Sequence, residues 1–274
     1  MQDHAQLLAR IADALERLVP PPPVAPDWLA HPAYVWTGKT ARGVERIEAP
    51  ALELLLGVDR QKAAVTENVA RLSEGSAAHD MLLWGARGMG KSALVRAAVV
   101  QDHEAGGWVG LVQVASEAVG TLPALFAELA RVEREFLVFL DDLGFAEGDT
   151  VTPHHLRSWL DGGVDARPAN VRIALTSNRR AVVPREAAEQ GDPLNPRDAV
   201  DDTLALADRF GLSLGFHAAS QDDYLAMVRS YAETYGLRLN EADALEWAKR
   251  RGARSGRVAW HYVIEVAGRT GRQL

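Results

Sequence analysis

The sequence predicts an α/β fold, an αβα sandwich around a parallel five-stranded sheet followed by a small all-helical subdomain. Three observations carry this expectation. Short apolar runs of strand length alternate with helical stretches through the middle of the 274-residue chain. One such run, Met81-Leu82-Leu83-Trp84, leads into Gly85-Ala86-Arg87-Gly88-Met89-Gly90-Lys91-Ser92 and then into an apolar helical run from Ala93 to Val100. Beyond about residue 217 the strand-like runs cease, and three helices with their own start and stop signals take over.

The chain is long enough to bury a full core, with 47% hydrophobic and 24% charged residues. It has no cysteine, which excludes disulfides, thiol catalysis and cysteine-based zinc sites. The net charge of −7 argues against wholesale non-specific coating of DNA, but it leaves room for a local basic patch. No apolar stretch approaches membrane-spanning length and no signal peptide is evident, so a cytoplasmic protein without a membrane partner is expected.

In chain order, residues 5–19 place Leu7, Leu8, Ile11, Leu15 and Leu18 on one helical stripe that stops at Pro20-Pro21-Pro22-Pro23. That stripe fits a helix packed on its own domain and equally an arm that docks on a neighbour. Trp28, Tyr34 and Trp36 follow in a loop-like stretch, where they read as anchors pinning an extension to the core rather than as base-stacking platforms. Residues 1–45 are therefore expected to form an extension, 46–216 the α/β core and 217–274 a helical lid. An amphipathic helix is expected over Arg60–Leu72, and further buried strands over Trp108–Val114, Phe136–Leu140, Val171–Thr176 and Leu212–Phe216. Ser220 with Asp223 and Asn240 with Asp243 mark two helix starts that run to Gly236 and Gly252, and Ser255 opens a third that runs to Gly268.

The octet Gly85–Ser92 has the P-loop spacing G-x-x-x-x-G-K-[ST] in the strand–turn–helix context that the motif requires. Glycines let backbone N–H groups turn inward around phosphates, and the helix N-terminus adds a favourable dipole. Lys91 would reach the β- and γ-phosphates, and the Ser92 hydroxyl would ligate Mg²⁺. Phe136-Leu137-Val138-Phe139-Leu140-Asp141-Asp142 is an apolar strand ending in two acids. Asp141 would hold the metal through water, and Asp142 would orient or deprotonate the attacking water. Asn178, closing the next strand in Thr176-Ser177-Asn178, could position that water. An arginine brought to a γ-phosphate stabilises transition-state charge, and Arg209 in Asp208-Arg209-Phe210-Gly211 is the leading candidate, with Arg179 and Arg180 as rivals. Arg257, at the start of the last helix, could bridge from the lid to bound phosphates, while the neighbouring Lys249-Arg250-Arg251 suits a solvated helix end. His154 and His155 are adjacent and point apart on a helix, so they read as surface or helix-start residues rather than as ligands. Val183–Asp202 reads as a long loop suited to partner contact.

Taken in order, the P-loop, Asp141-Asp142, Asn178, Asp208-Arg209-Phe210 and Arg257 resemble the Walker A, Walker B, sensor 1, arginine finger and sensor 2 of AAA+ ATPases. The Arg-Phe pair looks like the finger of bacterial replication initiators and helicase loaders. The strings Gly-Ala-Arg-Gly-x-Gly-Lys-Ser, Thr-Ser-Asn-Arg-Arg, Asp-Arg-Phe-Gly-Leu and Arg-Ser-Gly-Arg resemble a group of bacterial AAA+ ATPases known only as a domain of unknown function. The resemblance covers roughly residues 46–270. It implies ATP and Mg²⁺ as cofactors, a homo-oligomer when ATP is bound, a site completed between subunits, and an unknown protein client. One departure is Asp142, where the family usually has Glu; a base one methylene shorter can lose much of its rate.

Three functional readings follow. The first is an Mg²⁺-dependent AAA+ ATPase whose hydrolysis remodels a client, with Arg209 acting on a neighbour's nucleotide. The second is an ATP-controlled switch, loader or adaptor with little turnover, gripping a protein or single-stranded DNA. A small-molecule kinase or GTPase is third, disfavoured because no Asn-Lys-x-Asp guanine reader occurs in the chain.

Overall fold

Alternation within the strands explains how the molecule is layered. In strand β3 (Met81–Gly85), Met81 and Leu83 point to one face and Leu82 to the other, as the two-residue repeat of a strand demands. Both faces are apolar because both are covered by helices, the mark of a parallel sheet. The computed structural model describes residues 25–143, 167–178 and 208–274, together with positions 4, 7, 8, 10, 11 and 160. The predicted arm beyond its few described positions, the prolines at 20–23, His154, His155, Arg179, Arg180 and the stretch 183–202 lie outside the described residues.

The other strands are β1 (Ala33–Trp36), β2 (Ala41–Val44), β4 (Gly110–Val114), β5 (Phe136–Leu140), β6 (Val171–Ser177) and β7 (Leu212–Phe216). They form one sheet in the order β2-β1-β4-β5-β6-β3-β7, parallel throughout except for the antiparallel edge strand β2. The five predicted strands are all present. The sheet has seven because β1 and β2, only four residues each, occupy the stretch whose aromatic residues suggested a loop. Tyr34 and Trp36 are nonetheless anchors: the Tyr34 hydroxyl donates to Asp27 O at 2.6 Å, and Trp36 Nε1 donates to Thr121 Oγ1 at 2.8 Å. Trp108 falls just outside β4 and lies half-exposed under the Arg134 guanidinium, 4.4 Å from its ring centroid.

Helices α1 (Asp59–Ser73) and α2 (Lys91–Glu104) pack on the Met81/Leu83 face through Val65, Val69, Leu72, Leu94 and Val95. Helix α3 (Leu122–Leu129) covers the Leu82 face with Leu122, Leu125 and Phe126. Each of these side chains is worth about 1.5–3 kcal/mol when withdrawn from water. Helices α4 (Gln221–Thr234), α5 (Glu241–Arg251) and α6 (Gly256–Arg269) pack on one another after β7. Ser220 and Asp223 form a reciprocal capping box on α4, Asn240 caps α5, and Ser255 accepts from Val258 N to cap α6. The last helix runs one residue past Gly268, because the left-handed glycine that follows it is Gly271. Among the described residues, no helix is long and apolar enough to cross a membrane.

Candidate nucleotide site

Parallel register brings the carboxyl ends of β3, β5 and β6 to one end of the sheet, where the P-loop, the two acids and Asn178 follow directly. Gly85 turns the chain out of β3 with φ 118°, and a Cβ there would sit 2.1 Å from Phe216 O. That close approach ties the loop to β7, since Ala86 N donates to Phe216 O at 2.7 Å. Gly88, at φ 73°, lies under the lid: Arg257 N donates to its carbonyl at 3.1 Å, and an added Cβ would meet Ser255 Oγ at 2.7 Å. Gly88→Ala is therefore expected to destabilise the protein by about 2 kcal/mol, lowering Tm by roughly 4–8 °C in a thermal melt. An unchanged Tm would mean that the lid does not rest on the loop.

Lys91 opens α2 with a side chain that is 5% exposed. Its Nζ donates to Gly85 O, Ala86 O and Asn178 Oδ1, each at 2.9 Å. Burial pushes the ammonium below its ordinary pKa. The Asp142 carboxylate opposes that shift, and the Arg257 guanidinium reinforces it. Ser92 Oγ donates to Asp141 Oδ1, which also accepts from Thr176 Oγ1 at 2.8 Å. Thr176 Oγ1 in turn accepts from Asp142 N at 2.8 Å. Asn178 Nδ2 donates to Asp142 Oδ1, and Arg87 approaches Asp142 Oδ2 at 3.9 Å. Asp142 is the one non-glycine with positive φ among the described residues, at 50°. Aspartate tolerates this region, and here the turn aims its carboxylate toward Asn178 rather than along the strand.

These groups face a cavity of about 840 Å³, bounded below by Lys91, Ser92, Asp141, Asp142 and Asn178 and above by Arg257. Gly88, Met89, Gly90 and Ala93 also border it, whereas Ala86 and Arg87 border a neighbouring hollow. The far end of the cavity is apolar, built from Leu54 and Leu55 before α1 and from Met227, Tyr231 and Trp260 of the lid. Sequence reasoning did not assign these residues, nor the bridging role of Thr176. Thr176 was within reach, since it shares a strand face with Asn178 two residues on. The apolar wall was not, because its residues come from segments far apart in sequence.

Arg209 is not brought to this cavity. It precedes β7, whose start pairs with Met81 and whose end pairs with Gly85. The five residues of β7 alone put about 16 Å between the two ends. Buried Phe210 fixes the turn that presents Arg209 at the amino-terminal end of the sheet.

The chain belongs to the family described as "Protein of unknown function (DUF815)", which it matches over residues 29–270. No curated protein matches it significantly. Its fold is that of AAA+ P-loop ATPases. It is similar to the Thermotoga maritima RuvB Holliday junction branch migration motor, with a TM-score of 0.50 at 16% identity over 81% of this chain and 66% of that one. It is also similar to the Aeropyrum pernix ORC1 protein in complex with DNA, with a TM-score of 0.56 at 18% identity over 79% and 64%. The chain thus spans less than two thirds of the length of both structures.

Proposed function

We propose that this DUF815 protein binds Mg·ATP and hydrolyses it in an assembled form, with Arg209 of one copy completing the site of the next. The observation that carries the reading is the connected set Ser92–Asp141–Thr176 and Lys91–Asn178–Asp142 on the floor of one cavity, with Arg257 above it and Arg209 at the far end of the sheet. Among the described residues, the candidate Arg209 precedes the amino-terminal end of β7, at the opposite end of the sheet from this cavity, which fits a neighbour's contribution. The likeness to a RuvB motor and to ORC1 shows a shared fold and supports this reading only to that extent.

The residues suit the groups that they would hold. A loop turned by Gly85, Gly88 and Gly90 at positive φ, followed by a helix N-terminus that carries the buried Lys91 ammonium, suits a triphosphate, and the Ser92 hydroxyl beside the Asp141 carboxylate is a hard-oxygen pair of the kind Mg²⁺ takes. Mg²⁺ would be held by Ser92 and by Asp141 through water, and when bound it would neutralise charge on the phosphate oxygens. Lys91 would hold the β- and γ-phosphates. Asp142 would accept the proton of the attacking water, with Asn178 fixing the direction of its carboxylate. Arg257 would sense the phosphates from the lid. Asp142→Asn is expected to cut hydrolysis by about 10²–10⁴-fold while leaving ATP affinity unchanged, as read by steady-state phosphate release and equilibrium binding. Hydrolysis unchanged by this substitution would remove Asp142 from the base role.

One observation favours the slower reading, a nucleotide-held switch acting on a protein client or on single-stranded DNA. Asp142 carries the shorter side chain, is engaged by Asn178 and is faced by Arg87. Steady-state hydrolysis per subunit, measured across a wide range of protein concentration, separates the two. Specific activity that climbs with concentration supports the assembling ATPase. Flat or absent activity with ATP still bound supports the switch.

A further inference from the structure

A second cavity, of about 750 Å³, borders the P-loop tip. Its walls are Ala86 and Arg87 of the loop, Ala218 and Ala219 between β7 and α4, and the last turns of α5 through Arg254. The long side chains that line it are mostly cationic: Arg87, Lys249 and Arg254 stand against one carboxylate, Glu246, which already faces Arg250 at 3.8 Å. Among the described residues, neither Lys249 nor Arg254 forms an ion pair. Arg87 is 77% exposed and comes no nearer than 3.9 Å to Asp142. In a chain of net charge −7, such a concave cluster of cations fits an acidic group brought from outside.

The position of the cavity points to the source. Arg87 borders it and comes within 3.9 Å of Asp142, which lines the nucleotide cavity, so the two hollows lie on either side of the P-loop tip. A second copy that delivers Arg209 to the nucleotide cavity brings with it the residues that run into Arg209. These include Asp198, Asp201, Asp202 and the exposed Asp208, and residues 198–208 contain no cation. We propose that the second cavity seats the acidic stretch 198–208 of a second copy, with Arg87, Lys249 and Arg254 as its cations. The inference rests on the in-trans reading above.

The test uses the full chain with Mg·ATP and reads self-association by sedimentation velocity at low and high salt. The reversals Lys249→Glu/Arg254→Glu and Asp201→Lys/Asp202→Lys are each expected to weaken association by roughly tenfold or more, and mixing the two variants is expected to restore it. Wild-type association should weaken as salt rises. Binding of a fluorescent ATP analogue by the first variant should stay at the wild-type level, since neither Lys249 nor Arg254 lines the nucleotide cavity. Should that variant fail to fold, the neutral pair Lys249→Gln/Arg254→Gln gives the same readout with a smaller loss. Assembly of either lid variant at wild-type concentrations would overturn the seat while leaving the ATPase reading intact. So would loss of single-stranded DNA binding with self-association unchanged, which would reassign the cations to a polyanion. A wild-type chain that binds ATP yet never self-associates would defeat both.

Discussion

Lys91→Ala is expected to lower hydrolysis by about 10²–10³-fold at saturating Mg·ATP and to weaken nucleotide binding as well, read by phosphate release and by equilibrium titration. The size follows from what the side chain does. It is the one buried cation on the floor of the cavity, and its three donors hold Gly85 O, Ala86 O and Asn178 Oδ1 in place. Removing it takes away the charge that would face the β- and γ-phosphates. It also leaves three acceptors without their donor and frees Asn178, which in turn holds Asp142. The variant should still fold, since the strands and helices around the loop keep their apolar contacts; a far-ultraviolet spectrum checks this. Wild-type affinity and turnover in a folded Lys91→Ala protein would contradict a phosphate-binding role for the loop.

Arg209→Ala is expected to reduce hydrolysis by on the order of 10³-fold or more while ATP affinity stays within about twofold of wild type. The separation of effects is what the geometry demands. Arg209 lies beyond the amino-terminal end of β7, while the cavity lies beyond the carboxyl ends of its neighbours, so the side chain has no part in the binding of nucleotide by its own subunit. Loss of binding in this variant, or undiminished turnover, would rule out an in-trans finger.

Much of this site is legible in the sequence, because P-loop chemistry is written in contiguous strings. Gly85–Ser92 and Phe136–Asp142 each place their functional groups at a strand end, and a parallel sheet leaves those ends only one side to share. The lid helices are equally legible, since Ser220, Asn240 and Ser255 declare their starts through caps that the structure realises. The short strands β1 and β2 are harder to read. Four residues give too few alternations to separate a strand from an extended loop, and Trp36 is buried on the strength of contacts far along the chain, such as Thr121, 85 residues away. The apolar end of the cavity is illegible for the same reason. Leu55, Met227 and Trp260 meet only through tertiary packing, and each in isolation reads as ordinary helix or turn hydrophobicity. Arg87 is a different case. Its place in the motif marks it as a loop residue, but nothing in the motif says that its guanidinium faces Asp142.

The most direct test of a site completed between copies is to mix two inactive proteins, Lys91→Ala and Arg209→Ala, and measure Mg·ATP hydrolysis. In mixed assemblies an Arg209→Ala subunit keeps an intact P-loop and receives Arg209 from a Lys91→Ala neighbour, so activity should return to a sizeable fraction of wild type and peak near an equimolar ratio. A mixture that stays as inactive as its components at concentrations where the two co-assemble would contradict the account.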